Sequence, residues 1–196
     1  MNDQKESDKN NKIITTLKVA LIGDTSMGKT TFFTRISSNN YLNFLKEKEG
    51  ILITNGAAYK SIKIKIEDRN FFLDIWDTAG LRKYFSLTKF FYKDAKIILI
   101  FYDPFDKSSF KRVDEILLQI KSDDIKNVIL GLISNKYDKN VENISNENIV
   151  SDEEALEYAD KNKLYFSHLS NFVKYETGIN KIFELVLNEY LKREKK

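Results

Sequence analysis

A chain of 196 residues with 42% apolar and 13% aromatic content is long enough to bury a core without crosslinks, and it has no cysteine. That excludes a disulfide framework, thiolate metal sites and cysteine-borne lipid anchors on the chain as given. With 32 basic and 29 acidic residues the net charge is only +3, and the surplus is spread along the chain, which argues against a nucleic-acid footprint. The longest apolar runs, such as Ile97 to Tyr102, fall far short of the ~20 residues that span a bilayer.

Residues 1–16 open on MNDQKESDKNNK. They have neither a signal-like apolar segment nor a glycine after Met1, and they read as a disordered polar extension. Residues 17–196 read as one domain. LKVALIG, Leu17 to Gly23, predicts a short buried strand, and the segment after Gly28 a helix. After a polar stretch to Gly56, SIKIKIEDRNFFLDIWD predicts two strands around a turn at Glu67 to Asn70. Ile62, Ile64 and Ile66 share one face, and Lys63 and Lys65 on the other read as edge-strand protection. Further strands are predicted at Lys96 to Asp103, Asn127 to Ser134 and Leu164 to Phe166. Helices are predicted at Lys107 to Lys121, at Asp152 to Asn162 behind a capping box of Ser151 with Glu154, and at Ile179 to Arg193. Strands alternating with helices imply an α/β fold: a six-stranded, mostly parallel sheet with one antiparallel strand and helices on both faces.

Three motifs carry chemistry. GDTSMGKT, Gly23 to Thr30, satisfies G-x-x-x-x-G-K-[ST] between a strand and a helix, the P-loop pattern. Its backbone N–H groups wrap an anion at a helix N-terminus, so Asp24, Thr25, Ser26, Met27, Gly28, Lys29, Thr30 and Thr31 are candidate nucleotide contacts. Lys29 would reach the β and γ phosphates, and the Thr30 hydroxyl would ligate Mg²⁺. WDTAG begins at Trp76, 47 positions after Lys29. There Asp77 would hold Mg²⁺ and the Gly80 N–H would meet the γ phosphate. NKYD, Asn135 to Asp138, follows a buried strand. The Asp138 carboxylate accepts the N1–H and exocyclic amino protons of guanine, a donor pair adenine lacks. Asn135 would brace the loop, and the stem of Lys136 would cover a ring face.

In this order and at these distances the motifs resemble the Ras superfamily of small GTPases, over roughly Lys18 to Leu191. LRKYFSLTKFFYKDAKIILIFYDPFDKSSF, Leu81 to Phe110, is most similar to the Rab branch. The resemblance implies a GTP/GDP-binding switch with Mg²⁺, a GTPase, acting in vesicle trafficking. Its partners would be effectors, exchange factors and activating proteins at the switch regions. It would be cytoplasmic or peripheral on the cytosolic face of endomembranes, and any membrane association would be indirect because no lipidation site is present. By the same resemblance, Thr54 is a second Mg²⁺-binding hydroxyl of the GTP state, and Tyr41 an aromatic on the guanine edge. Tyr59, Trp76 and Phe91 would be an aromatic partner patch. Leu169, Ser170 and Asn171 stand where the family has a guanine-contacting S-A-K.

The chain also departs from the pattern. Leu81 occupies the position of the water-orienting glutamine, and leucine has neither donor nor acceptor. Among the catalytic candidates Lys29, Thr54, Gly80 and Leu81, it alone predicts slow intrinsic hydrolysis. Three readings stay open: a long-lived GTP state, a partner that supplies the missing polar group, or a substitute residue nearby. The alternative function is a GTP-bound scaffold that does not hydrolyse. The single histidine, His168, reads as a loop residue.

Overall fold

The computed structural model describes residues 14–37, 57–66, 68–80, 85–123, 125–136, 146–168 and 179–195. Six strands form one sheet: β1 (Ile14–Gly23), β2 (Ala57–Ile66), β3 (Arg69–Thr78), β4 (Ile97–Tyr102), β5 (Ile129–Ser134) and β6 (Tyr165–His168). Their order is β2-β3-β1-β4-β5-β6, and only the β2–β3 pair is antiparallel. Among the described residues the α-helices are α1 (Lys29–Ser37), α2 (Phe85–Tyr92), α3 (Lys107–Ser122), α4 (Asp152–Asn162) and α5 (Ile179–Glu194). Among the described residues no helix is long and apolar enough to cross a membrane.

The central strands are apolar at successive positions because both their faces are covered. Leu17, Val19 and Leu21 of β1, with Ile97, Leu99 and Phe101 of β4, pack against Phe32 of α1 and Ile182, Phe183 and Val186 of α5. The intervening Ala20, Ile22, Ile98, Ile100 and Tyr102 face the other way. They meet Tyr92 of α2, Phe110, Val113 and Leu117 of α3, and Ala155 and Ala159 of α4. In β2 the expected alternation is present: Ile62, Ile64 and Ile66 pack on the first core, while Lys63 and Lys65 are exposed.

Local signals fix the helix starts. Asp106 caps α3, its carboxylate accepting from Ser108 N at 3.0 Å. The Ser151 hydroxyl caps α4, accepting from Glu154 N at 3.1 Å. The Glu154 carboxylate lies 3.7 Å from Lys107 Nζ, which joins the starts of the two helices.

Three sequence expectations shift. The first strand begins at Ile14 rather than Leu17, because Ile14 to Thr16 pair in register with Asn70 to Phe72. Those three residues therefore belong to the sheet and not to a 1–16 extension. The predicted turn at Glu67 to Asn70 is tighter, since Arg69 already pairs with Ile66 and Asn70 with Lys65. Helix α2 was not among the expected helices. It is eight residues long, and the run Phe90-Phe91-Tyr92 reads equally as strand.

Phe32 is fully buried, with its ring 5.3 Å from that of Phe101 and 5.9 Å from that of Phe183. Phe32→Ala is expected to lower the unfolding free energy by about 3–5 kcal/mol, measured by urea denaturation.

Candidate functional site

In a parallel sheet the strand ends that share a direction share an edge. Gly23, Thr78, Tyr102, Ser134 and His168 end β1, β3, β4, β5 and β6, so these ends lie along one edge of the sheet. The site is built from the described residues that end or follow β1, β3, β4 and β5.

The loop after β1 turns sharply. Gly23 has φ +151°, and a Cβ there would lie 2.5 Å from the Phe101 carbonyl oxygen, so no other residue fits. Ser26 (φ 63°) and Gly28 (φ 82°) are left-handed. The helix starts directly afterwards, with Phe32 N donating to Gly28 O at 2.9 Å. Lys29 lies inside this wrap and is 5% exposed. Its ammonium donates to the carbonyls of Gly23 and Asp24, each at 2.9 Å. Burial pushes it down to about 8, against a smaller upward pull from Asp77 and Asp24. The Asp24 carboxylate accepts from Thr25 N at 2.9 Å, holding the turn. Met27 is buried, and Thr31 follows on α1, half-buried.

Thr30 Oγ1 donates to Asp77 Oδ2 at 2.6 Å, joining α1 to the end of β3. A hydroxyl and a buried carboxylate in contact form an all-oxygen donor pair, which suits a small hard cation that also takes phosphate oxygens and water. The residues present therefore fit Mg²⁺. Thr78 Oγ1 donates to Leu21 O at 2.7 Å, fastening the same strand end to β1. Gly80 lies against the first loop: a Cβ on it would be 2.5 Å from both Asp24 C and Thr25 N.

From the loop after β5, buried Asn135 donates through Nδ2 to Met27 O at 2.6 Å. This bond spans 108 positions of sequence. Lys136 is left-handed at φ 65°, and its Nζ is 3.1 Å from Asp103 Oδ2. Asp103, 2% exposed at the end of β4, had no assigned role in the sequence reading. The signal was present: an acid directly after a buried strand, at the same edge where Asn135 follows β5.

The structure also joins the three aromatics of the expected patch. Tyr59 and Trp76 have ring centroids 5.0 Å apart, and Trp76 and Phe91 5.7 Å apart. Tyr59 is 52% exposed and the neighbouring Phe90 73%. His168 ends β6, its Nδ1 3.6 Å from Asp152 Oδ1. Tyr41, Thr54, Leu81, Asp138, Leu169, Ser170 and Asn171 lie outside the described residues.

Comparison with known proteins agrees with this geometry. A model of the Ras family matches residues 18–192. Similar proteins include Ras-related protein RABF2a of Arabidopsis thaliana and Ras-related protein Rab5 of Nicotiana tabacum. Each is 30% identical over 166 residues, covering 85% of this chain and 76% of the relative. Ras-related protein Rab11A of Lotus japonicus is 30% identical over 182 residues, covering 93% of this chain and 75% of its own.

The left-handed serine yields a prediction. An L-residue at φ 63° carries a Cβ clash that glycine does not. Ser26→Gly is expected to raise the unfolding free energy by about 0.5–1 kcal/mol, read from the urea midpoint.

Proposed function

The chain belongs to the Ras family, and from that premise we propose that it is a Rab-type switch that binds GTP and GDP with Mg²⁺ and hydrolyses GTP slowly on its own. The observation that carries the proposal is the convergence of three loops at one sheet edge. Lys29 lies within the P-loop wrap, Thr30 touches Asp77, and Asn135 is bonded to Met27.

The phosphates would lie on the backbone N–H groups of Asp24 to Thr30, with the Lys29 ammonium exchanging its carbonyl partners for phosphate oxygens. Thr30, Asp77 and, in the GTP state, Thr54 would hold Mg²⁺, which when bound neutralises charge on the phosphate oxygens. Asp138 would read the guanine edge while Asn135 fixes the loop that carries it. Tyr41 and the segment Leu169 to Asn171 would complete the base pocket. Loss of the γ phosphate would release Thr54 and Gly80, changing the surface offered to effectors, exchange factors and activating proteins, with the Tyr59–Trp76–Phe91 cluster as part of that surface.

Slow turnover follows from Leu81. Catalysis of phosphoryl transfer is mostly positioning and electrostatics, and an alkyl side chain orients no water. Binding is unaffected, because its contacts lie elsewhere. Single-turnover hydrolysis of preloaded GTP with Mg²⁺ is expected to be at least about ten-fold faster in Leu81→Gln than in the native chain. Equal rates would mean another group positions the water. ATP displacing bound GDP as readily as GTP does would sink the guanine assignment.

Lys29 adds a pH dependence. Burial holds its ammonium down to about 8. A bound phosphate raises it again, so above that pH binding takes up a proton. Affinity is therefore flat below about pH 8 and falls as the pH rises past it. Calorimetric titration with GDP in buffers of different ionisation enthalpy should show close to one proton taken up at about pH 9 and far less at about pH 7.5, where the terminal phosphate of GDP is already ionised. Equal uptake at both would remove Lys29 as the linked group.

A further inference from the structure

We propose that Asp103 is a positioning residue for guanine recognition, acting through Lys136. The inference rests on the guanine-nucleotide reading above and adds a residue to it.

Asp103 is almost fully buried, where a carboxylate needs both hydrogen bonds and a countercharge. It has them in a fixed arrangement. Oδ1 accepts from Phe105 N at 3.0 Å, and Oδ2 is 3.1 Å from the Lys136 ammonium. The main chain beneath it is fastened as well. Asp103 N donates to Ser109 Oγ at 2.9 Å, and Asp106 N donates to Asp103 O at 3.0 Å, where α3 begins. With one oxygen tied to its own turn and the backbone tied to a helix start, the second oxygen has one direction in which to point, and Lys136 lies there.

The lysine has matching reasons to need it. It follows Asn135, whose side chain is bonded to the phosphate loop and whose N–H donates to Tyr102 O at 3.0 Å. It precedes Asp138, the proposed base reader, by two positions. Its backbone is left-handed, a conformation unfavourable for lysine, and an ion pair to a rigid carboxylate offsets that strain. A lysine stem drawn across the site toward a buried anchor has lost its rotamer freedom before any ligand arrives. The ring face is then preformed, and less order has to be imposed when the base binds.

The test is release of fluorescently labelled GDP from the full chain with Mg²⁺, in Asp103→Asn, Lys136→Met and the double variant. Asparagine keeps the shape and the Phe105 contact but removes the charge. Release is expected about ten-fold faster in Asp103→Asn. It is expected faster again in Lys136→Met, with no further effect of Asp103→Asn in that background. A purely structural Asp103 would accelerate release by the same factor in both backgrounds, which overturns the proposal. Wild-type release from Asp103→Asn also overturns it. If Asp103→Asn does not fold, Lys136→Met alone decides: release at the native rate overturns the proposal. A native chain that holds ADP as well as GDP overturns the guanine reading itself, and this inference with it; in every other outcome the two stand or fall separately.

Discussion

The site depends on a positive charge kept out of water. An ammonium as buried as that of Lys29 is stable only if carbonyl oxygens surround it, and the Gly23 and Asp24 oxygens do so. Bringing both to one nitrogen bends the chain back on itself. That bend requires the unusual torsions at Gly23, Ser26 and Gly28 and the contact of Gly23 with Phe101. An anion bound in the same loop would meet a charge already desolvated and aimed, with little water left to displace.

The other loops are attached to this one, each by a different kind of contact. A hydroxyl–carboxylate bond joins α1 to β3, a side-chain amide joins the β5 loop to Met27, and close backbone packing joins Gly80 to Asp24. The sheet makes them neighbours, but the short polar bonds set their spacing. None is made by a large apolar side chain, although Met27, which accepts from Asn135, is itself part of the first core. Ser26→Gly changes the loop and leaves the cores alone.

What was legible in the sequence was whatever has a short-range cause. The cap at Ser151, alternation at Ile62, Ile64 and Ile66, and the spacing of Gly23, Gly28 and Lys29 all follow from neighbours in the chain. Lys29, Thr30, Asp77 and Asn135 stood out because their motifs encode chemistry, and the structure brings Thr30 against Asp77 and Asn135 against Met27. Other features depend on distant partners. Ile14 to Thr16 are β-branched and suit a strand, but it is the pairing with Asn70 to Phe72 that carries the sheet back to Ile14. Asp103 and Lys136 are 33 positions apart and meet only because β4 and β5 are adjacent. The left-handed Ser26 was invisible, since serine does not advertise a positive φ as glycine does.

The missing side chain at Gly80 is what lets its backbone lie against that of Asp24 and Thr25, since a Cβ there would be 2.5 Å from both Asp24 C and Thr25 N. Any larger residue would have to push the two segments apart, so alanine at this one position would disturb the turn after β1 from outside it.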